Sequence, residues 1–189
     1  IKQANIITYN PVIYEVSKEN KELIPKTIKH IFIISDHRER IDTLRKIAKA
    51  VNSDKTMIFI NTKYDLEESL QKLQYHNYNV AALAGNIDKQ SKKKAVEDFQ
   101  NGRLQYLLAT DVAARGLQID HVSTVINVNL PEEPTEYLHR AGRCGRNNEQ
   151  GLCISIITEN ELNKIKKYQK AFNINIVQKR LYNGKIVSK

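Results

Sequence analysis

The sequence predicts an α/β fold in which a mainly parallel β-sheet is covered by helices on both faces. From about Ile31 onward, short apolar runs alternate with amphipathic stretches of about ten to fifteen residues, a rhythm typical of βαβ units. The runs are apolar at successive positions and do not alternate with polar residues, which indicates strands buried on both faces. Helices are therefore expected on both sides of the sheet.

The predicted strands are six apolar runs, which occupy residues 31–34, 57–60, 80–83, 106–109, 124–128 and 152–157. Apolar residues at helical spacing predict helices over residues 38–51, 65–76, 88–102 and 160–172. Thr62, three residues before Asp65, and Asp88, ahead of the third helix, are typical helix N-caps. Gly102 is placed to end the helix before it.

The beginning of the chain does not follow this rhythm. Pro11 and Pro25 flank residues 12–24, which we predict to form one strand and a polar linker. A first residue other than Met suggests a piece of a longer protein. We therefore predict the end of a preceding domain and an interdomain linker in residues 1–27, the main domain in residues 28–160, and a helix with a short basic tail in residues 161–189.

The composition favours an anionic partner and excludes several classes of protein. Thirty Lys and Arg residues against 21 Asp and Glu residues give a formal net charge of +9, which favours polyanions such as nucleic acids. No apolar run approaches the roughly 18 residues of a membrane span, so we predict no membrane association. Cys144 and Cys153 are too few for a disulfide framework or a zinc site by themselves, and we predict reduced thiols in a cytoplasmic protein.

Polar residues with phosphate-binding chemistry follow three successive predicted strands. Because ligands bind beyond the carboxyl ends of parallel strands, these positions are candidate site residues. They are Thr62 and Lys63 after the second strand, Gly85 and Asn86 after the third, and Thr110 and Asp111 after the fourth. Each position alone is more typical of a helix cap, but the three together favour a groove that follows a phosphate backbone.

The strongest functional signal is the sequence His-Arg-Ala-Gly-Arg-Cys-Gly-Arg at residues 139–146. Arg140, Arg143 and Arg146 recur at every third position, and a glycine precedes each of the last two. At the end of a helix, this spacing would place the guanidinium groups along one side. The glycines would let a polyphosphate or another domain approach closely, and arginine offers phosphate oxygens a planar set of donors. A solvated basic face, the alternative, does not account for the glycines.

Four segments together resemble the second RecA-like domain of DEAD-box RNA helicases. Residues 57–62 are similar to motif IV of that family, 84–102 to the stretch around motif IVa, 109–119 to motif V and 136–146 to motif VI. They occur in the family's order and spacing across roughly residues 28–160. The resemblance implies a RecA-like three-layer sandwich, with a mainly parallel sheet flanked by helices on both faces.

The resemblance also implies roles for individual residues. Arg143 and Arg146 would be arginine fingers that reach the γ-phosphate of ATP, while ATP and Mg²⁺ would be held mainly by an N-terminal RecA-like domain. Gly116 and Gln118 would also face ATP, and Asp111, His139 and Arg140 would contact the N-terminal domain when the cleft closes. The RNA backbone would be bound by Thr62, Lys63, Gly85, Asn86, Gln90, Lys93 and Thr110.

Three positions depart from the family pattern. Gln118 stands where the family usually has an Asp that accepts from the ATP ribose, which predicts a weak or altered nucleotide contact. Lys93 replaces an Arg, so a phosphate contact there keeps its charge but loses the bidentate geometry. Cys144 occupies a position usually held by Thr or Ser, where we predict a small filler residue.

Two elements of a complete ATPase do not occur in this sequence. It has no Gly-x-x-x-x-Gly-Lys-Ser/Thr phosphate loop and no Asp-Glu-Ala-Asp stretch. We therefore predict that the chain by itself is a monomer without ATPase activity and works as half of an RNA helicase. The alternatives are a non-catalytic RNA- or protein-binding scaffold derived from a helicase half and a DNA-directed helicase. Intact arginines at 143 and 146 argue against the first, and His139–Arg140 argues against the second.

Overall fold

A computed structural model describes residues 25–84, 87–119, 121–145 and 149–188 of the chain. These residues form one sheet, and the strand order across it is β3-β4-β2-β5-β6-β1-β7-β8. The strands are β1 Ile28–Ile34, β2 Thr56–Phe59, β3 Val80–Leu83, β4 Tyr106–Ala109, β5 Thr124–Asn127, β6 Gly151–Ile157, β7 Ile176–Tyr182 and β8 Lys185–Ser188. All neighbouring strands are parallel except β7 and β8, which pair antiparallel.

Six α-helices lie in the described ranges, in addition to short 3₁₀ turns at His37–Glu39 and Glu159–Glu161. They are α1 Arg40–Val51, α2 Lys63–Tyr75, α3 Lys89–Gln100, α4 Asp111–Ala114, α5 Pro134–Ala141 and α6 Leu162–Phe172. The predicted caps are confirmed, since the Thr62 hydroxyl accepts from the Asp65 N–H at 3.1 Å and the Asp88 carboxylate accepts from two N–H groups of α3. Every one of these helices is too short to cross a bilayer.

The core has two apolar layers, one on each face of the sheet. In β2, Met57 and Phe59 belong to one buried cluster, and Ile58 to the other, as alternation along a strand requires. α5 and α6 cover the first cluster through Tyr137 and Tyr168, which stack with ring centroids 4.7 Å apart, and α1 covers the second through Leu44. The predicted sandwich of a mainly parallel sheet between helical layers is confirmed.

Two strands follow the last helix, in the segment that the sequence analysis described as a basic tail. β7 pairs with β1 and extends the parallel sheet, and β8 folds back on β7. Asn183 and Gly184, both at positive φ, form the two-residue turn between them. The strand predicted within residues 12–24 lies outside the described residues.

His30 carries an imidazole into the core. Its Nδ1 lies 2.9 Å from the Tyr137 hydroxyl, and its Nε2 is buried without a hydrogen-bond partner in the part of the chain that the structure describes. Burial lowers the pKa of His30 to about 4, because the imidazolium would lose its hydration there. The folded domain therefore holds His30 neutral at neutral pH.

We expect acid to destabilise the domain through His30. Its pKa is about 4 in the folded chain and about 6.5 when unfolded, so between these pH values only the unfolded chain takes up the proton. The free energy of unfolding should fall by about 3 kcal/mol as the pH is lowered through this window. Urea unfolding of the wild type and of His30→Gln, measured from neutral pH to pH about 4, tests this. A constant difference between the two proteins at every pH would contradict the prediction.

Candidate functional site

A cavity of about 520 Å³ opens at the carboxyl edge of the sheet, between the start of α4 and the end of α5. Five predicted site residues line it, namely Asp111, Gly116, His139, Arg140 and Arg143. Arg115 and Glu136 also reach its wall, where their side chains lie 3.4 Å apart. The structure thus brings together most of the residues that the sequence analysis assigned to ATP and to interdomain contact.

Arg140 is the centre of this site, and its guanidinium is almost completely buried. Its Nε and Nη2 donate to the two carboxylate oxygens of Asp111 at 2.7 Å and 2.5 Å. Nη1 donates to the Asn127 side chain at 3.3 Å and to the Asn129 carbonyl at 2.7 Å, and Nη2 donates to Asn61 at 2.9 Å. All five N–H donors of the arginine are therefore used within this domain.

This network fixes the ends of three neighbouring strands. Asp111 follows β4, Asn61 follows β2, and Asn127 ends β5, and these strands are adjacent in the sheet. The guanidinium also lies over the Phe59 ring, with its carbon 5.1 Å from the ring centroid. A direct hydrogen bond from Arg140 to another domain, as the sequence analysis expected, would have to replace one of these bonds.

Arg143 lies beyond the helix and not on it. α5 ends at Ala141, so the expected alignment of the arginines along one helix side is wrong. The reason is the turn at Gly142 and the residues after it, which leave helical geometry before the second arginine. Arg143 Nη1 donates to the Leu117 carbonyl at 2.5 Å and Nη2 to the Ala114 carbonyl at 3.3 Å. Arg146 lies outside the described residues.

Gly145 allows the start of β1 to pack closely against the backbone that follows α5. Its φ is +67°, and a Cβ placed on it would lie 2.5 Å from Cγ1 of Ile28 in β1. The Thr27 hydroxyl donates to the Gly145 carbonyl at 3.2 Å on the same side. The expectation that this glycine admits a polyphosphate or another domain is wrong, because its close neighbour is the start of β1.

The remaining residues assigned to ATP lie on the same rim. Gly116 has φ +72° and open space where a Cβ would stand, so its backbone is accessible from the cavity. Gln118 is exposed and is not among the residues that line the cavity, and its carbonyl accepts from the Gln100 side chain at 2.9 Å. The predicted contact of Gln118 with a nucleotide stays a prediction.

Among the described residues assigned to RNA, Thr62 and Lys63 follow β2 and Thr110 follows β4, and these two strands are neighbours in the sheet. Thr62 caps α2, and Thr110 caps α4 by accepting from the Ala113 N–H at 3.3 Å. Lys63 is exposed on the first turn of α2 and Lys93 on the second turn of α3, with Glu67 and Glu97 at 3.5 Å and 3.7 Å. Gln90 is exposed beside Lys93, whereas Gly85 and Asn86 lie outside the described residues.

Sequence reasoning missed four residues of the site. Asn61, Asn127 and Asn129 hold Arg140, and no local pattern marks them as partners of an arginine more than ten residues away. Arg115 is different, because it is an exposed cation within residues 109–119, the segment already similar to motif V. Its position within that segment was a usable signal.

The cavity suits one end of an anionic ligand better than a metal ion. Arg143 and Arg115 supply positive charge, and the open backbone at Gly116 can receive a phosphate closely. The Asp111 carboxylate is already held by Arg140. Among the described residues there is no group of three or more His, Cys, Asp or Glu side chains that could hold a metal. The arginines and the open backbone at Gly116 fit the phosphates of ATP.

Comparisons with known proteins agree with this geometry. Residues 39–148 match the family described as "Helicase conserved C-terminal domain". The DEAD-box ATP-dependent RNA helicase CshC of Bacillus cereus is 32% identical over 97% of this chain and 46% of its own length. The probable ATP-dependent RNA helicase YfmL of Bacillus subtilis is 30% identical over 97% of this chain and 48% of its own length. The chain thus spans about half the length of the curated relatives it matches.

Solved structures show the same fold. Saccharomyces cerevisiae Dbp5 bound to RNA and ADP BeF3 superposes with a TM-score of 0.83 and 28% identity, over 95% of this chain and 48% of that one. The C-terminal domain of the DEAD-box protein Dbp5 gives a TM-score of 0.77 with 29% identity, over 82% of this chain and 91% of that one. The second match covers nearly a whole C-terminal domain, so the described chain corresponds to one such domain.

Proposed function

Because this chain belongs to the helicase C-terminal domain family and is the C-terminal RecA-like domain of a DEAD-box RNA helicase, we propose that it completes ATP hydrolysis for an N-terminal partner domain. We further propose that it forms part of the groove that holds the RNA backbone. In the closed enzyme, the two domains would bend a short RNA duplex and release one strand.

The observation that carries this proposal is the placement of Arg143. It lies at the wall of an open cavity with Gly116, on the carboxyl edge where doubly wound sheets bind ligands. Arginine at such a place can stabilise the charge that develops on a transferring phosphoryl group. Arg146, which follows in sequence, is proposed as a second arginine for the same phosphate.

The hydrogen bonds of Arg143 suggest how it would act. In the described chain its guanidinium donates to two backbone carbonyls, Leu117 and Ala114. A phosphate oxygen carries more negative charge than a carbonyl oxygen and accepts a stronger hydrogen bond from a guanidinium. We propose that domain closure exchanges the carbonyl contacts for contacts to the γ-phosphate. Mg²⁺ would be held mainly by the N-terminal domain.

The proposed RNA contacts combine charge with hydroxyl donors. Thr62 and Thr110 accept backbone hydrogen bonds with their oxygens, and each hydroxyl also has a hydrogen to donate. Lys63 adds positive charge next to Thr62 at the N-terminus of α2, which favours phosphate, and Lys93 adds an exposed charge on α3. Gln90 would add a neutral contact, and Gly85 and Asn86 are proposed from sequence alone.

Two preparations test the proposal, the full-length protein and the 189-residue chain. The full-length protein should hydrolyse ATP faster when RNA is added and should separate an RNA duplex faster than a DNA duplex of the same sequence. The isolated chain should show no turnover of ATP. Robust hydrolysis by the isolated chain would refute the proposal that ATP hydrolysis needs both domains. A full-length protein that binds RNA without hydrolysing ATP would favour the alternative of a non-catalytic RNA-binding scaffold.

A further inference from the structure

The β7–β8 hairpin has one face anchored in the core and one face open to solvent. Leu181 and Ile186 are cross-strand partners and pack against the apolar cluster beneath α1. Arg180 and Tyr182 alternate with Leu181 along β7 and therefore project from the opposite face. Lys185 is the cross-strand partner of Tyr182, so it lies on this open face as well.

The open face of the hairpin carries an exposed aromatic ring next to positively charged side chains. Tyr182 is 58% exposed, and the Arg180 guanidinium lies 5.6 Å from its ring centroid. Residues 173–188 contain no Asp or Glu, so no acidic side chain of the hairpin itself neutralises Arg180 or Lys185. A groove of about 480 Å³ beside the turn is lined by Arg180 and Tyr182 on one side and by Glu39 and Lys46 on the other.

The hairpin is also firmly placed. Asn183 and Gly184 take the two positive φ angles that a tight two-residue turn needs. Lys179 donates to the Ser188 hydroxyl at 2.9 Å across the strands. The ring of Tyr182 is therefore presented by a rigid two-stranded ribbon and not by a loop, which lowers the entropy lost when a ligand stacks on it.

From this arrangement we infer that the β7–β8 hairpin is a second RNA contact, in which a single-stranded base stacks on Tyr182 while Arg180 and Lys185 bind the adjoining phosphates. Stacking on an aromatic ring with basic flanks is the general chemistry of single-strand binding, and it does not depend on base identity. The inference rests on the proposed function, since RNA must already occupy the strand ends at β3, β4 and β2.

The distance across the sheet from the end of β2 to Tyr182 sets a minimum length for the RNA. The turn of the hairpin lies at the same carboxyl edge as Thr62, because β7 runs parallel to β2. Tyr182 ends β7, and four strand spacings of about 4.8 Å separate β2 from β7, or roughly 19 Å. At a rise of about 3.4 Å per stacked nucleotide, this is on the order of six nucleotides. Only RNA longer than the groove itself can reach Tyr182.

The test measures RNA affinity of the full-length protein by fluorescence anisotropy, with labelled single-stranded oligouridine of about 4 or about 20 nucleotides. Tyr182→Ala should weaken binding of the long RNA about tenfold and leave the short one unchanged, whereas Tyr182→Phe should bind both like the wild type. Lys185→Gln should lower the slope of log affinity against log salt by about 0.7 for the long RNA.

Tyr75→Ala is the matched control, since Tyr75 is 82% exposed at the far end of α2 and should have no effect. Unfolding midpoints of all variants establish that each one folds. Wild-type affinity of Tyr182→Ala for the long RNA overturns the inference and leaves the proposed function standing. Equal weakening by Tyr182→Ala and Tyr182→Phe also overturns it, because the phenyl ring would then not act by stacking. A wild type that binds neither RNA defeats the proposed function as well.

Discussion

Replacing Arg143 by alanine should lower the RNA-stimulated ATPase rate of the full-length protein by a factor of about 10³–10⁵, the range known for arginine fingers. The guanidinium would otherwise stabilise negative charge on the transferring phosphoryl group, and alanine leaves that charge without a partner. RNA affinity without nucleotide should change little, since Arg143 follows α5 and donates to carbonyls of Ala114 and Leu117, away from Thr62, Lys63 and Lys93. The measurement is steady-state turnover at saturating RNA and ATP.

Two further variants identify the cause of the loss. Arg143→Lys keeps the charge but not the planar fork, so it should recover only a small part of the rate. Arg103→Ala is the matched control, because Arg103 forms a surface ion pair with Asp98 far from the cavity and should leave turnover unchanged. A rate for Arg143→Ala within about tenfold of the wild type would exclude a finger role, since fingers contribute far more. The partner of the phosphate would then be sought at Arg146.

Local sequence signals predicted most of the fold because their causes are local. The cap at Thr62 depends on Asp65, three residues away, and the apolar run of β2 needs no distant partner to be recognised. Asn183–Gly184 is an equally local signal, typical of the two-residue turn of a hairpin. Within the short basic segment, the alternation of Arg180 and Tyr182 with Leu181 marked a strand with one open face.

The interior of the site could not be predicted because it is assembled from distant parts of the chain. Gly145 stands next to a positive charge in sequence, yet its neighbour in space is Ile28, on a strand that begins more than a hundred residues earlier. Motif resemblance pointed to Arg140, which lines the cavity, but the partners of its guanidinium follow β2, β4 and β5. Sequence spacing gives no information on which strands become neighbours.

The second large effect concerns stability. Arg140→Met should lower the free energy of unfolding of the 189-residue chain by about 3 kcal/mol, near the lower end for removing one partner of a buried ion pair. Methionine fills much of the space, but it leaves Asn61, Asn129 and Asp111 without their donor. The Asp111 side chain is 26% exposed and can regain some water, which keeps the cost from being higher.

A double-mutant cycle with Asp111 separates the ion pair from the rest of the network. Asp111→Leu with Arg140→Met should be less destabilised than the two single variants predict by addition, because neither charge is then left unpaired. The surface pair Arg45–Asp42 is the control, and Arg45→Met should cost less than about 1 kcal/mol. Urea unfolding followed by circular dichroism measures all of these values.

The same experiment decides between two roles for Arg140. If it acted only on a partner domain, the isolated chain would unfold at the wild-type urea concentration in Arg140→Met, because the contact would be missing in both proteins. If it holds the ends of β2, β4 and β5 together, the loss appears without any partner domain. The five hydrogen bonds of the guanidinium favour the second outcome. Arg140 would then hold the cavity wall that positions Arg143. Replacing Arg140 should therefore reduce ATP turnover because Arg143 is misplaced, and not because a charge at the phosphate is lost.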